Sequence, residues 1–185
     1  MQAASSYFFT AKPHAPKNSR VGVRAQGNSL GIGDRVAAEK SMAVKWSQKT
    51  VVIPPLKRGC HIVTHKLVKE IEEDLSGYKC GLAHFFLQHT SASLTINENY
   101  DPDVQHDMET FLNKTVPEGR SAPWTHTMEG ADDMPAHVKS SMFGCSLTIP
   151  VTNGRLNMGT WQGIWLCEHR DHATARKVVI TINGV

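Results

Sequence analysis

The dipeptide Asn153-Gly154 limits what this chain can fold into more than any other pair of residues. Both tolerate positive φ, which the tight two-residue turn between antiparallel strands requires, and the preceding segment, Cys145 to Val151 (CSLTIPV), alternates cleanly. An antiparallel hairpin is thereby written into the sequence. Segments of the same β-branched and aromatic character recur at Trp46 to Ile53, Gly59 to Thr64, Gly81 to His89, Ser93 to Asn97, Gly163 to His169 and Lys177 to Ile182. The last two are read as completing one antiparallel set with Cys145 to Val151. Within Gly81 to His89, alternation puts Phe85, Leu87 and His89 on one side and His84, Phe86 and Gln88 on the other.

Three stretches carry helical spacing instead. Leu67, Val68, Ile71 and Leu75 recur within KLVKEIEEDLSG, with Gly77 as the stop. Asp101-Pro102 is a helix start, and Val104, Met108, Phe111 and Leu112 then form one buried stripe on a helix running to about Lys114. Pro117 to Pro123 is a loop, and Pro135 to Phe143 is a short helix with Asp133 or Met134 at its cap and Gly144 at its end.

Charge divides the chain in two. Residues 1–42 hold six Lys/Arg and two acids, Asp34 and Glu39, so that residues 43–185 carry a net −1 within the total of +3. The first part, rich in Ser and Gly and without an acid before Asp34, has the composition of a leader too polar to bury a core, matching an organellar transit peptide. Its destination would be plastid or mitochondrion; without that role, or with Met42 as the start, the protein would be cytoplasmic. The near-neutral remainder lacks the clustered Lys/Arg of a nucleic-acid surface, and no apolar run is long enough to span a membrane. Cys60, Cys80, Cys145 and Cys167 form no CxxC pair and sit among apolar neighbours, the pattern of buried reduced thiols.

Chemistry concentrates in Trp124 to His137, where His126, Glu129, Asp132, Asp133 and His137 surround a Gly-containing turn. Histidine is the commonest metal-ligating side chain, and His137, in the first turn of its helix, meets a dipole that disfavours imidazolium. A third ligand is needed; His89, at a strand end among polar residues, is the best remaining candidate. The alternative is that all three are hydrogen-bonded structural histidines. His61 and His65 straddle a strand-to-helix junction and are read as structural. Glu168 closes the core face of Ile164 and Leu166, whereas His169 and His172 are read as exposed. Arg155, Arg170 and Arg176 can meet anions or simply lie on the surface, and Trp161 can stack a ring or pack in the core. No P-loop, GxGxxG or GxSxG motif is present.

Four segments together carry a resemblance: QHTSASLTINEN at 88–99, Asp101-Pro102 with Asp107, HTMEGADDMPAH at 126–137 and GTWQGIWLCEHR at 159–170. With these, residues 46–184 resemble the YjbQ (UPF0047) family of secondary thiamine-phosphate synthase-like proteins. The resemblance implies an α+β fold, mainly antiparallel β-sheets with three or so helices, in a homotrimer with sites near subunit contacts. It also implies His89, His126 and His137 as a metal-binding set, with Asp132 and Asp133 as cap and supporting groups. The implied reaction joins a pyrimidine pyrophosphate to a thiazole phosphate. Arg155 or Arg176 would assist the leaving pyrophosphate, Trp161 would shield the pyrimidine, and Glu98, Asp133 or Glu168 would move protons. Three histidines suit a zinc-like ion, whereas pyrophosphate transfer favours magnesium on oxygen ligands. That mismatch keeps open metal-dependent hydrolysis of a small phosphate or amide, Ser91 as a nucleophile, and a trimer that binds a metal or ligand without turnover.

Overall fold

The computed structural model describes residues 43–172 and 174–185; the leader reading of residues 1–42 lies outside them. Seven of the strands are β1 (Lys45–Ile53), β2 (Gly59–Ile62), β3 (Cys80–Leu87), β4 (Ala92–Glu98), β5 (Ser146–Thr152), β7 (Gln162–Glu168) and β8 (Arg176–Gly184). The two-residue β6 (Arg155–Leu156) is the mate of β5 across Asn153-Gly154. Both turn residues have positive φ, 48° and 75°, as the sequence requires. The helices are α1 (Thr64–Ser76), α2 (Pro102–Thr115) and α3 (Asp133–Phe143). Every described strand pairing is antiparallel, so the α+β expectation holds. None of the described helices is long and apolar enough to cross a membrane.

The strands form two sheets, ordered β1-β8-β3-β5-β6 and β2-β7-β4. This corrects the single antiparallel set: β7 leaves the sheet of β5 and becomes the centre of the second one. The physical reason is burial on both faces. Ile164 and Leu166 join the main core with Val51, Phe85, Leu87 and Ile180, while Trp165 and Cys167 face the other way with Cys60, under Val104 and Met108 of α2 and Phe143 of α3. Such a strand can only lie between two layers. Leu67, Ile71 and Leu75 of α1 bury the expected stripe.

Three smaller expectations are also corrected. Phe111 is half exposed, since only Leu112 of the α2 stripe is fully buried. Cys80 is exposed and Cys145 half-buried; only Cys60 and Cys167 are buried thiols. His169 is fully buried rather than exposed, because it continues the covered face of Trp165 and Cys167.

Candidate functional site

The chemistry gathers where β4 begins and α3 starts. Asp101 caps α2 as expected, accepting from the Asp103 amide at 2.9 Å. At α3 the capping residue is Asp132, and its side chain does not cap the helix. Instead, Asp132 Oδ2 accepts from Arg170 Nε at 2.9 Å and from the Asp171 amide at 3.0 Å. Burial pushes the Asp132 carboxyl up, but these bonds outweigh it, so its pKa lies below the ordinary value. Arg170 also donates to the Glu129 carbonyl and pairs with Asp133 Oδ1, clamping the loop to the start of the helix.

Because α3 begins at Asp133, His137 stands one turn on and shares its face. Asp133 is 1% exposed. Its Oδ2 lies 2.9 Å from His126 Nε2, and its Oδ1 lies 3.5 Å from His137 Nε2. The ligand atoms of His126, Asp133 and His137 all fall within 4.8 Å of one another. The Asp133 to His126 contact lacks hydrogen-bond alignment, and Oδ2, buried, has no donor. A buried carboxylate with one oxygen lacking a donor, beside two imidazole nitrogens, fits a divalent cation with a mixed nitrogen and oxygen donor set.

The proton positions on two rings follow from their partners. His137 Nδ1 lies 3.0 Å from the Thr90 carbonyl, which can only accept, so Nδ1 carries the hydrogen and the Nε2 lone pair faces Asp133 and the cavity. Ser91 Oγ is 3.3 Å from the same Nδ1. His89 is the reverse case. Its Nδ1 accepts the Ser91 amide hydrogen at 2.9 Å, and burial followed by the charge of Arg176 lowers its pKa. A neutral ring whose Nδ1 accepts must carry its hydrogen on Nε2, which makes it a donor. His89 lines the same cavities as His126 and His137 but stands outside their tight group.

Two cavities meet at these histidines. One, of about 740 Å³, runs over Met134, Ser141 and Cys145; the other, of about 520 Å³, is lined by Ser91, Arg170, His172, Thr174 and Arg176. Both volumes are in the range for small ligands.

The other candidate residues are placed differently. Glu168 is fully buried and held bidentately by Arg176, through Nε to Oε2 at 2.7 Å and Nη2 to Oε1 at 2.8 Å, so neither is free as a proton carrier or a surface cation. Glu98 and Trp161 sit beside the Glu98↔Gln162 end of the β4 and β7 ladder, whereas the histidines sit beyond its Ala92↔Glu168 end. Six residue steps of strand separate the two ends by about 20 Å. Trp161 is exposed rather than packed and makes an edge contact with Tyr100. Arg155 lines a separate cleft with Leu75 and Ser76 of α1. His172 is exposed, as expected, and lines the smaller cavity, while Arg170 meets the carboxylates of Asp132 and Asp133. The i, i+4 spacing of Asp133 and His137 was the available signal for Asp133 as a member of the group.

Comparison with known proteins agrees with this architecture. The family described as UPF0047 protein YjbQ-like matches residues 49–185. The UPF0047 protein YjbQ of Escherichia coli O157:H7 is 51% identical over 139 residues, covering 75% of this chain and 99% of that protein. A UPF0047 protein of Synechocystis sp. is 44% identical over 138 residues, covering 74% and 91%. Among solved structures, an uncharacterized conserved protein of the YjbQ/UPF0047 family from Clostridium acetobutylicum is 36% identical with a TM-score of 0.62, covering 72% of this chain and 98% of that one. A YbjQ-like protein of unknown function from Sulfolobus solfataricus P2, 24% identical with a TM-score of 0.68 over 77% and 100% of the two chains, shares the fold. With the match spanning most of its length and half of the aligned residues shared with the E. coli protein, the chain belongs to the YjbQ-like UPF0047 family.

Proposed function

We propose that His126, Asp133 and His137 hold a divalent metal and that the protein hydrolyses a small phosphorylated substrate there. The reading rests on one observation above all: the buried Asp133 Oδ2 has no hydrogen-bond donor and faces His126 Nε2. Two imidazoles and a carboxylate suit zinc better than magnesium. A divalent ion in that place supplies Lewis acidity toward a phosphoryl oxygen.

The chain's own groups do the rest. Arg170 fixes Asp133, and the Thr90 carbonyl fixes the His137 ring. His89 donates from Nε2 to an anionic oxygen of the substrate and so acts as a substrate contact. His172 and Thr174 line the cavity on the side where a phosphate would lie. Ser91 lines it too, but its hydroxyl is next to the His137 ring, a supporting position more than a nucleophile's.

The thiamine-phosphate synthase-like transfer implied by the resemblance is the second reading. It needs an aromatic shield, and Trp161 and Glu98 can serve the histidines only from a neighbouring copy. A homotrimer with sites at subunit contacts would supply that. The test is phosphate release from a panel of small phosphate esters by the full chain with zinc, alongside His89→Gln and His126→Ala. Hydrolysis is expected to fall in both variants by about 100-fold or more, with zinc content kept in His89→Gln and lost in His126→Ala. Zinc lost equally in both would return His89 to the ligand set. No phosphate release from any ester, with condensation of thiazole phosphate and pyrimidine pyrophosphate instead, would favour the transfer.

A further inference from the structure

We propose that Cys60 and Cys167 form a reversible dithiol–disulfide pair across β2 and β7, a site of redox modification separate from the histidine cavity. The two residues are directly opposed in the antiparallel register. The hydrogen-bonding phase of that ladder is fixed from both sides. The Val63 amide donates to the Ile164 carbonyl at 2.8 Å, three steps along the same register, and the His169 amide donates to the Ser91 carbonyl on the β4 side. Alternation then turns the N–H and C=O of Cys167 toward β4, leaving Cys60 and Cys167 as a non-hydrogen-bonded pair.

Opposed residues of that kind have Cα atoms about 4.5 Å apart, inside the window of about 4.4–6.8 Å that a disulfide needs. The thiols are already in contact: Cys167 Sγ donates to Cys60 Sγ at 2.9 Å. Both side chains lie on the same face of their sheet, against Trp165 and under α2. The bond can therefore close without moving the backbone.

The two cysteines are not equivalent. Cys60 is 7% exposed, on a four-residue strand at the edge of its sheet, while Cys167 is 0% exposed on the central strand. The hydrogen bond to Cys60 and burial push the Cys167 thiol up. Short edge strands open locally most readily, so a small oxidant meets Cys60 first. Hydrogen peroxide is such an oxidant. Cys60 sulfur attacks one peroxide oxygen, the O–O bond breaks, and a sulfenic acid and water result. Cys167 sulfur then displaces the hydroxyl from Cys60 sulfur, the S–S bond forms, and the Cys167 proton leaves in a second water. The two thiols have lost two electrons, and one peroxide has been reduced to two waters. The new bond ties edge strand β2 to the strand that ends in Glu168, the carboxylate holding Arg176 at the wall of the histidine cavity.

The experiment treats the full chain with one to a few equivalents of hydrogen peroxide, blocks the remaining thiols under denaturing conditions, and reads intact mass and peptide maps. The expected result is loss of the mass of two hydrogen atoms, a peptide carrying Cys60 joined to one carrying Cys167, and full reversal by a phosphine reductant. Cys60→Ser should abolish the linkage and leave Cys167 recoverable as a free thiol, while Cys80→Ser should change nothing. Recovery of Cys60 and Cys167 as free thiols while exposed Cys80 takes up oxygen would overturn the proposal. So would linkage of either residue to Cys80 or Cys145, or oxygen added to Cys60 with no linkage.

Discussion

His169 shows how one buried ring can set the acid response of the whole fold. It is fully enclosed, its Nε2 shares a hydrogen bond of 2.9 Å with Ser93 Oγ, and its Nδ1 has no partner. Burial, followed by the charges of Lys139 and Arg58, lowers its pKa from 6.5 to about 3. Between those values the unfolded chain takes up a proton that the folded chain refuses, so stability falls as pH falls through that window. The loss due to His169 between pH 7 and pH 5 should be about 2 kcal/mol, and urea unfolding at the two pH values checks it. In His169→Asn that slope should flatten whatever the variant's stability at pH 7. Nearby, Lys139 is buried on α3, with Nζ 2.6 Å from both Asn113 Oδ1 and Glu118 Oε1. Glu118 also accepts from Arg58, which in turn reaches Glu109 and Asp171. Burial pushes the Glu118 carboxyl up, but the bonds from Arg58 and Lys139 outweigh it and leave its pKa below the ordinary 4.5. The stability this contributes is present above that value and lost as pH falls through the lower folded one. Truncation in Lys139→Ala should cost about 2–5 kcal/mol in urea unfolding, because the fully buried side chain leaves a cavity and Glu118 loses a charge-assisted bond.

At the scale of elements, the turn between β5 and β6 is the part most completely written in the chain. Gly154 has φ +75°, and a Cβ there would come within 3.2 Å of Ser76 Cα on α1. Gly154→Val should therefore lose about 1–3 kcal/mol in urea, whereas a substitution at exposed Thr152 should be nearly neutral. The strands and the three helices were legible because alternation and i, i+3, i+4 spacing are local properties. Partition of the strands between two sheets was not local. β7 reads as a continuous apolar run, and only the layer above it, α2 and α3, explains why Trp165 and Cys167 are as buried as Ile164 and Leu166. The same limit applies to side-chain partners. Glu168 and Arg176 find each other only when β7 and β8 are folded into different sheets. The tautomer of His89 depends on where the Ser91 amide points.

For the whole molecule, the two sheets and α3 bring together residues from distant segments: His89 after β3, His126 in the long loop, and Asp133 and His137 on α3. The histidines were legible as chemistry from their types. Asp133 was read as a supporting group because spacing alone does not tell which carboxylate loses its hydrogen-bond donors on folding. Glu98 and Trp161 were gathered into the site although they stand at the other end of the β4 and β7 ladder, since sequence motifs carry no direction in space. The central claim is that His126, Asp133 and His137 form a cation site, and calorimetric titration of zinc into the metal-stripped full chain tests it most directly. The wild type should take up one zinc per chain, and His126→Ala, changed at a half-exposed side chain, should bind it at least about 100-fold more weakly. No uptake by the wild type, or equal affinity in His126→Ala, would contradict the account.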